Sequence, residues 1–310
     1  MSIRVIVPGP LTTIQDAGRF GYQSSGIRPC GVMDRAAYDA AMALLGDCGA
    51  VLEATFLGPT LKFGEAAVLA LTGADMQAKL DGVPVPRYQA IAVQPGQILS
   101  MGMALSGCRG YIAVRGGIDV PSVLGSRSTD LKCRLGGLEG RALKAGDLLP
   151  VRMIAAAELP AAVRSMSLPD YPEHAVVRVI LGPQAEYFTA EGIAAFLQEE
   201  YEVSPDSDRM GMRLDGPAVA SLDGTDIVSD GIVFGSVQIT SSGKPILLMA
   251  DHQTAGGYAK LATVLSFDLP RLAQLRPGNT VRFRRLSAEA AQELYTTKGR
   301  SAYIMGYREA

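Results

Sequence analysis

Short apolar runs broken by glycine and proline dominate this chain, and long amphipathic stretches are few. Val68–Asp75 and Ile246–Met249 have the length and apolar character of buried strands, and Tyr111–Val114 is a shorter run of the same kind. The 35 glycines and 18 prolines provide the turns that many short strands require. The pattern therefore predicts a mostly β protein with a few helices.

A Pro-Gly dipeptide at residues 95–96 separates two further apolar runs, Ile91–Val93 and Ile98–Leu99. Pro-Gly marks a tight turn, because proline fixes its own φ and glycine tolerates a positive one. We expect these two runs to be the strands of a hairpin.

Three segments have the apolar periodicity and the capping residues of helices. The clearest runs from Asp34 to Leu45, where Asp34 is placed to cap the first turn and Gly46 to end the last. The other two are Ala190–Glu199, with Thr189 as its cap, and Ser287–Tyr295, with Ser287 as its cap.

The second half of the chain repeats the order of segments found in the first half. Gly58–Phe63 corresponds to Gly235–Ile239, and the apolar run Val68–Asp75 corresponds to Ile246–Asp251. A Pro-Gly turn follows in each half. This order predicts two copies of one small β-rich domain that arose by internal duplication.

The duplication predicts a first domain at residues 1–163 and a second at residues 164–310. Residues 155–170 are rich in alanine and then polar, which is typical of a linker. Residues 102–151 have no counterpart in the second half and are predicted to extend the first domain. We expect a ligand pocket where the two copies face each other, since such seams commonly hold ligand sites.

Composition narrows the classes of function. The net charge is −2 and the basic residues are scattered, so neither nucleic acid nor an anionic membrane is indicated as a partner. No run is long enough to span a bilayer, and the N-terminus shows no signal-peptide pattern. The four cysteines are far apart, which is typical of reduced thiols in a cytoplasmic protein.

Several common catalytic motifs are missing from the sequence. The two histidines, His174 and His252, form no metal-ligand spacing with the cysteines, and no metal site is predicted. The chain has no Walker A loop, no dinucleotide fingerprint and no lysine motif that carries biotin. If ATP or biotin takes part in its reaction, another polypeptide has to supply the nucleotide fold or the carrier.

The strongest candidate site is the segment from Asp251 to Tyr258. It directly follows an apolar strand, and the backbone N–H groups of Gly256 and Gly257 suit an oxyanion. An alternative is a tight turn in which the polar side chains only satisfy backbone groups. If Asp251 is catalytic, we expect Asp251→Asn to reduce turnover with little change in melting temperature.

Three further segments combine an arginine with carboxylate, amide or hydroxyl groups. They are Thr12–Arg19, Gly125–Asp130 and Ser207–Gly211. Such groups suit the binding of a carboxylate or a phosphate. Each segment also has a structural interpretation: an Asp16–Arg19 pair that fixes a turn, an Asp-capped surface loop, and an ordinary surface ion pair.

The chain resembles one known family in segments that follow each other in order over nearly its whole length. These segments are Gly9–Asp16, Leu52–Thr55, Ala113–Pro121, Gly136–Arg141, Asp208–Gly211 and Asp251–Tyr258. The family is that of the biotin-dependent carboxyltransferase domains. It includes the C subunit of 5-oxoprolinase, the antagonist of a sporulation-kinase inhibitor, and part of urea amidolyase.

The resemblance implies two cyclophilin-like β-barrel domains and a cytoplasmic hetero-oligomer. The implied activity is that of a hydrolase, an ATP-dependent 5-oxoprolinase that converts 5-oxo-L-proline to L-glutamate. The implied partners are a small protein similar to the B subunit of 5-oxoprolinase and, in addition, the A subunit of that enzyme. ATP is then a cofactor that a partner protein binds.

The resemblance also suggests roles for the candidate residues. Cationic and amide groups would bind the substrate carboxylate and the charge that develops on the lactam oxygen, and a carboxylate would act as base. The implied catalytic residues are Asp16, Asp251 and Gln253. The implied substrate-binding residues are Gln15, Arg19, Arg127, Ser128, Arg209, His252, Thr254, Gly256 and Gly257.

Two alternatives keep the same fold. One is a carboxyltransferase that moves a carboxyl group from carboxybiotin to urea or a related amide, with biotin as cofactor. Its fused carrier and carboxylase domains are missing from this sequence. The other is a non-catalytic antagonist that binds a kinase-inhibitor protein.

Overall fold

The chain divides into two compact units. The computed structural model describes residues 2–46, 48–152 and 165–298. One unit comprises Met1–Arg19 and Cys30–Tyr171, and the other comprises Phe20–Pro29 and Pro172–Ala310. The predicted boundary between residues 163 and 164 lies outside the described residues, as does most of the predicted linker.

The short segment before the second unit packs on the first. The backbone N–H of Met166 donates to the carbonyl of Tyr88 at 3.0 Å, and the hydroxyl groups of Tyr88 and Tyr171 are 2.9 Å apart. These contacts explain why residues 165–171, predicted as the end of a linker, belong to the first unit.

The first unit contains one α-helix and eleven strands within its described residues. The helix is α1 (Arg35–Leu45). The strands are β1 (Ser2–Val7), β2 (Thr12–Gln15), β3 (Val51–Thr55), β4 (Thr60–Phe63), β5 (Ala67–Asp75), β6 (Lys79–Leu80), β7 (Val83–Pro84), β8 (Ala90–Val93), β9 (Ile98–Ser100), β10 (Ser106–Val114) and β11 (Leu148–Pro150).

These strands form two sheets around one core. Their orders are β11-β1-β4-β9-β6-β7 and β2-β3-β10-β5-β8. Phe63 and Leu99 from the first sheet belong to the same buried cluster as Leu71 and Ile112 from the second. Burial of such side chains is the main favourable contribution to folding.

Helix α1 covers the outer face of the second sheet. Its side chains Ala37, Ala41 and Leu44 belong to a separate buried cluster with Tyr111 and Ala113 of β10. As predicted, the helix is capped by Asp34, whose carboxylate accepts from the N–H of Ala37 at 2.9 Å, and it ends before Gly46.

The hairpin predicted around residues 95–96 is wrong. Strand β8 pairs with β5 in one sheet, and β9 pairs with β4 and β6 in the other. The Pro-Gly turn therefore carries the chain from one sheet to the other. Each strand then places its apolar side chains against the shared core, which the local pattern alone could not distinguish from a hairpin.

Part of the predicted extension over residues 102–151 lies in the middle of a sheet. Strand β10 pairs with β3 on one side and β5 on the other. Tyr111, Ile112 and Ala113 are completely buried there. The segment is therefore integral to the core of the first unit.

The second unit contains three helices and nine strands within its described residues. The helices are α2 (Ala190–Gln198), α3 (Leu269–Ala273) and α4 (Ala288–Lys298). The strands are β12 (His174–Leu181), β13 (Tyr201–Val203), β14 (Gly211–Asp215), β15 (Asp226–Gly231), β16 (Ser236–Ile239), β17 (Pro245–Leu248), β18 (Ala255–Tyr258), β19 (Lys260–Val264) and β20 (Thr280–Arg285).

Seven of these strands form a closed barrel in the order β12-β19-β16-β17-β14-β13-β20. The parallel pairing of β12 with β20 closes it. Val177, Val237 and Val281 are completely buried. Helix α2 packs on the barrel through Phe196, whose ring stacks on that of Phe283 with centroids 4.3 Å apart.

The predicted mostly β chain with a few helices is confirmed, and the second unit is a closed barrel as expected. Thr189 caps α2 by accepting from the N–H of Gly192 at 2.9 Å. Ser287 accepts from the N–H of Ala290 at the start of α4, which continues to Lys298 rather than ending at Tyr295.

The predicted correspondence between Val68–Asp75 and Ile246–Asp251 is not reproduced in the pairing of their strands. Strand β5 pairs with β8 and β10, which both follow it in the chain. Strand β17, its predicted counterpart, pairs with β14 and β16, which both precede it. The apolar pattern of the two strands is similar because both are buried, whichever neighbours they have.

Two further features bear on function. The four cysteines form no disulfide. Among the helices within residues 2–46, 48–152 and 165–298, none is long and apolar enough to cross a bilayer.

A pair of glycine variants tests the packing of strands β5 and β10. Gly73 has φ +78°, and a Cβ there would lie 2.3 Å from the carbonyl oxygen of Arg109. Gly82 has φ +84° with open space around it. We expect Gly82→Ala to lower the free energy of unfolding by about 1 kcal/mol from backbone strain alone. Gly73→Ala adds a clash, and we expect a loss of about 3 kcal/mol.

Denaturant unfolding measures both variants. Equal losses for Gly73→Ala and Gly82→Ala would contradict the close approach of β10 to Gly73.

Candidate functional site

Asp16 is the centre of a hydrogen-bonded cluster in the first unit. Its Oδ1 accepts from the hydroxyl groups of Ser126 and Ser128, both at 2.6 Å, and from the N–H of Gly18 at 2.9 Å. Its Oδ2 accepts from the N–H of Arg127 at 2.6 Å. Hydrogen bonds to a carboxylate are stronger than neutral ones. Asp16 therefore fixes the loop around residues 126–128 against the end of β2.

Arg19 and Gln15 reach consecutive carbonyl groups of the same loop. The Nη2 of Arg19 donates to the carbonyl of Ser128 at 2.9 Å, and its Nε donates to that of Val123 at 3.0 Å. The Nε2 of Gln15 donates to the carbonyl of Thr129 at 3.2 Å. Both side chains are completely buried. The predicted Asp16–Arg19 pair is replaced by this arrangement, in which each residue bonds the loop separately.

Each of these two buried side chains retains one atom without a partner. Within the described residues, neither Nη1 of Arg19 nor Oε1 of Gln15 makes a hydrogen bond. Buried polar groups are nearly always hydrogen-bonded, so each exception requires an explanation such as a bound ligand or water. Nη1 of Arg19 is a donor, and Oε1 of Gln15 is an acceptor.

The turn at Gly136 and Gly137 lies against this cluster and was not among the predicted site residues. A Cβ on Gly136 would lie 2.2 Å from the carbonyl oxygen of Ser128 and 2.8 Å from Nη2 of Arg19. A Cβ on Gly137 would lie 2.0 Å from Oγ1 of Thr129. Two consecutive glycines are a sequence signal for a close backbone approach. The sequence does not show what they approach, because Arg19 is distant in the chain.

The second unit holds a buried ion pair between Arg209 and Asp251. The two side chains form a bidentate contact, with Nε to Oδ2 at 2.9 Å and Nη2 to Oδ1 at 2.8 Å. The N–H of Asp251 also donates to the carbonyl of Arg209 at 2.8 Å. The alternative of a surface ion pair at Asp208-Arg209 is therefore wrong. Asp208 instead caps a turn by accepting from the N–H of Met210 at 2.7 Å.

His252 follows Asp251 and has a defined tautomer. Its Nδ1 lies 2.7 Å from the carbonyl oxygen of Gln253. Since a carbonyl can only accept, Nδ1 carries the proton and Nε2 carries the lone pair. Burial lowers the pKa of His252 below its ordinary value of 6.5. The ring is thus a neutral hydrogen-bond acceptor.

Gly256 and Gly257 lie in strand β18, which pairs with β15. Neither has a left-handed φ and both lie in a strand, so the two glycines themselves do not form a tight turn. Three residues of β15, at positions 227–229, oppose Gly257 alone, which is a bulge in the ladder. A Cβ on Gly256 would lie 2.8 Å from Nε2 of Gln238. A Cβ at position 256 would therefore displace the amide end of Gln238, which donates to the carbonyl of Tyr258 at 3.0 Å.

Lys260 and Asp230 form a second ion pair that the sequence did not reveal. The Nζ of Lys260 donates to the Asp230 carboxylate and, at 2.9 Å, to the carbonyl of Gly231. The hydrogen bond from Lys260 holds the pKa of Asp230 below its usual range. The lysine is buried and the aspartate is half-exposed. The contact joins the end of β15 to the start of β19, which no local pattern indicates.

The remaining predicted site residues, Arg127, Gln253 and Thr254, differ in their burial and their contacts. Arg127 donates from Nε to the carbonyl of Val120 at 2.8 Å. Gln253 is exposed, whereas Thr254 is half-buried and its carbonyl accepts from the N–H of Ile232 at 3.2 Å.

The structure brings Gln15, Asp16, Arg19 and Ser128 together in the first unit. In the second unit it brings Arg209 to the segment 251–257. That the two groups share one pocket stays a prediction.

The first turns of α1 and α2 do not fit a nucleotide phosphate. Free N–H groups at the first turn of a helix commonly bind phosphate. Here the side chain of Asp34 occupies the first turn of α1, and that of Thr189 occupies the first turn of α2. The carboxylate of Asp34 would also repel a phosphate.

Residues 25–285 match the family model of the carboxyltransferase domain, subdomain A and B. The chain is 39% identical over 284 residues to the 5-oxoprolinase C subunit of Haemophilus influenzae, which covers 91% of this chain and 90% of that protein. It is 38% identical over 292 residues to the 5-oxoprolinase C subunit of Escherichia coli, which covers 93% of each.

Solved structures of larger proteins contain the same fold. The urea amidolyase of K. lactis superposes with a TM-score of 0.88 at 30% identity, over 100% of this chain and 20% of that one. The structure of TTHA0988 superposes with a TM-score of 0.83 at 34% identity, over 91% of this chain and 55% of that one. This chain therefore spans about a fifth of the first protein and about half of the second.

The buried ion pair revises the expected effect of Asp251→Asn. The change leaves the Arg209 charge buried without its carboxylate, and we expect a loss of about 3 kcal/mol in the free energy of unfolding. The matched control is Asp147→Asn. Asp147 forms a bidentate pair with the partly exposed Arg141, at 2.8 and 3.0 Å. There we expect a loss of about 1 kcal/mol or less.

Chemical denaturation gives the unfolding free energies of the two variants, and thermal denaturation gives their melting temperatures. A melting temperature for Asp251→Asn equal to that of the unchanged protein would restore the sequence-based expectation.

His252 should make stability depend on pH. Its pKa is lowered in the folded state, so the unfolded chain binds more protons below about pH 6.5. The contribution is fully present above that pH and is lost as the pH falls. We expect His252→Gln to flatten the fall in stability between about pH 7 and pH 5 relative to the unchanged protein.

Unfolding free energies at several pH values provide the measurement. The same slope in His252→Gln and in the unchanged protein would contradict the burial of a neutral ring.

Proposed function

Because this chain belongs to the family of the carboxyltransferase domain, subdomain A and B, we propose that it is one component of an ATP-dependent 5-oxoprolinase. The observation that carries the proposal is the match to two relatives, each named as the C subunit of 5-oxoprolinase, at 39% and 38% identity over nearly the whole of both chains. Such a name implies further subunits, and we expect a small partner similar to the B subunit together with the A subunit.

The proposed reaction opens the lactam ring of 5-oxo-L-proline to give L-glutamate. The bond between the ring nitrogen and the carbonyl carbon breaks, and the oxygen of water enters the new carboxylate. Hydrolysis of ATP to ADP and phosphate provides the driving force. Since this sequence contains no Walker A loop, we assign the nucleotide to a partner protein.

The two predicted catalytic carboxylates, Asp16 and Asp251, are better described as positioning residues. Asp16 accepts four hydrogen bonds from Gly18 and the 126–128 loop, and Asp251 is held by Arg209. In both residues the carboxylate oxygens are occupied by donors of the protein itself. Asp16 fixes its loop, and Asp251 fixes the backbone that carries His252.

We assign proton acceptance in the second unit to His252. Its Nε2 carries a lone pair, and its lowered pKa keeps the ring neutral near pH 7. A general base has to be unprotonated at the working pH. Gln253 and Thr254, which follow it, are expected to contact substrate.

A carboxyltransferase acting from carboxybiotin on urea or a related amide is the second candidate. The observation that favours it is the superposition of the entire chain on K. lactis urea amidolyase. The same site chemistry would serve, because urea and a lactam both contain an amide. In that case a biotin carrier would come from another polypeptide.

Reconstitution with a small partner similar to the B subunit and with the A subunit tests the proposal. We expect ATP hydrolysis that depends on 5-oxo-L-proline in the complex, and none in this chain alone. His252→Gln should reduce turnover in the complex by about a hundredfold or more, in the range typical of a lost general base. His174→Gln, a change at the exposed histidine, should not.

Robust turnover by the isolated chain would contradict the requirement for partners. Carboxylation of urea with carboxybiotin would support the second candidate. A stable complex without either activity would favour the non-catalytic antagonist.

A further inference from the structure

We propose that the outer face of the sheet β11-β1-β4-β9-β6-β7 is a docking surface for the small partner subunit, which meets it with carboxylates around apolar side chains. The inference rests on the proposed function, because that function requires a partner, and it adds the surface and the charge of the contact. We call this surface the basic face. Its exposed side chains include Arg4, Ile6, Val7, Lys62, Lys79 and Leu148.

Burial alternates along the strands of this sheet, so its two faces differ clearly. Ile3 and Leu61 are completely buried in the core of the first unit. Their chain neighbours Arg4 and Lys62 point the other way and are exposed. Helix α1 packs on β5 and β10 of the other sheet, so the basic face is open to a partner.

Two like charges lie directly opposite each other on the basic face. Arg4 of β1 and Lys62 of β4 are cross-strand partners in an antiparallel pair. Side chains in such positions have Cβ atoms about 5 Å apart, and like charges there destabilise a sheet. The arrangement therefore opposes the stability of the isolated chain, which indicates a role in binding.

No acidic side chain of the described residues forms an ion pair with Arg4, Lys62 or Lys79. Asp81, in the turn between β6 and β7, is bound to neutral donors that include the N–H of Ile98 at 2.8 Å. The net charge of the whole chain is −2, so the excess of positive charge is local. A partner with carboxylates at this face would supply the missing charge.

Exposed apolar side chains accompany these cations. Leu148 lies opposite Arg4 and is 51% exposed, and Ile6 and Val7 lie at a bulge in β1 and are 39% and 49% exposed. Protein interfaces combine an apolar centre with a polar rim. Anionic membranes are typically bound through clusters of about four to eight basic residues, which exceeds the three present here. The mixture therefore favours a protein.

The size of the basic face suits a small partner. Its six strands lie about 4.8 Å apart, which makes the sheet about 25 Å wide, and the longest strand has six residues. A patch of these dimensions approaches one side of a standard protein interface, about 800 Å2. One compact subunit can therefore cover the face.

The double variant Arg4→Thr, Lys62→Thr tests the basic face. It removes both opposed charges and introduces residues that favour strands. We expect the Kd for the purified small partner subunit to rise about tenfold or more in calorimetry at low salt. The melting temperature of the isolated chain should rise at the same time, because the repulsion is gone. A merely structural role would lower it.

The matched control is the double variant Arg213→Thr, Arg284→Thr. Both arginines are exposed on strands of the second unit and form no ion pair with a described residue. The control removes the same charge and should leave the Kd unchanged. Raising NaCl from about 50 to about 300 mM should weaken the complex of the unchanged chain about tenfold, and that of Arg4→Thr, Lys62→Thr much less.

Several results would overturn the inference. They are an unchanged Kd in Arg4→Thr, Lys62→Thr, an equal loss in the control, or no binding of the small subunit to the unchanged chain. Use of the face by the A subunit instead, or by vesicles that contain phosphatidylserine, would also overturn it. If the test variant fails to fold, Lys62→Thr and the salt dependence decide the question.

Failure of the proposed function gives a different pattern. A complex that depends on the basic face but shows no ATP hydrolysis dependent on 5-oxo-L-proline would remove the function and leave the inference. An active complex that Arg4→Thr, Lys62→Thr forms with unchanged affinity would remove the inference and leave the function.

Discussion

The organisation of the first-unit site depends on the Asp16 carboxylate. It accepts hydrogen bonds from two serine hydroxyl groups and two backbone N–H groups, and so determines the course of the loop that Gln15 and Arg19 bond. A half-buried carboxylate whose oxygens are all satisfied favours one conformation strongly, because any other would leave charge and donors unpaired. The glycines at 136 and 137 permit that conformation but do not create it.

Buried charged side chains are stabilised in different ways in the two units. In the first, Asp16 is surrounded by neutral donors, and Arg19 bonds neutral carbonyl groups. In the second, Arg209 and Asp251 neutralise each other in a bidentate pair. Removing one member of a buried pair exposes the other to an apolar surrounding, which costs more stability than the pair itself contributes. Because of this difference we propose that Asp251, predicted as a catalytic residue, instead positions His252.

The relatives share a fold but carry different names, the C subunit of 5-oxoprolinase and urea amidolyase. A fold does not determine a reaction, which depends on the groups placed at the site. The two reactions proposed for this chain both act on an amide, which 5-oxo-L-proline and urea share.

The sequence by itself determined the mostly β class, the caps Asp34 and Thr189, and the family, because each depends on residues close together in the chain or on ordered motifs. It also placed Arg19 and the segment after Asp251 among the candidate site residues. Only the tertiary structure decided their partners. The Arg209–Asp251 and Lys260–Asp230 pairs, and the sheet change at residues 95–96, depend on which strands lie side by side. Strand pairing satisfies the backbone equally well in several arrangements, and burial of the whole core selects one.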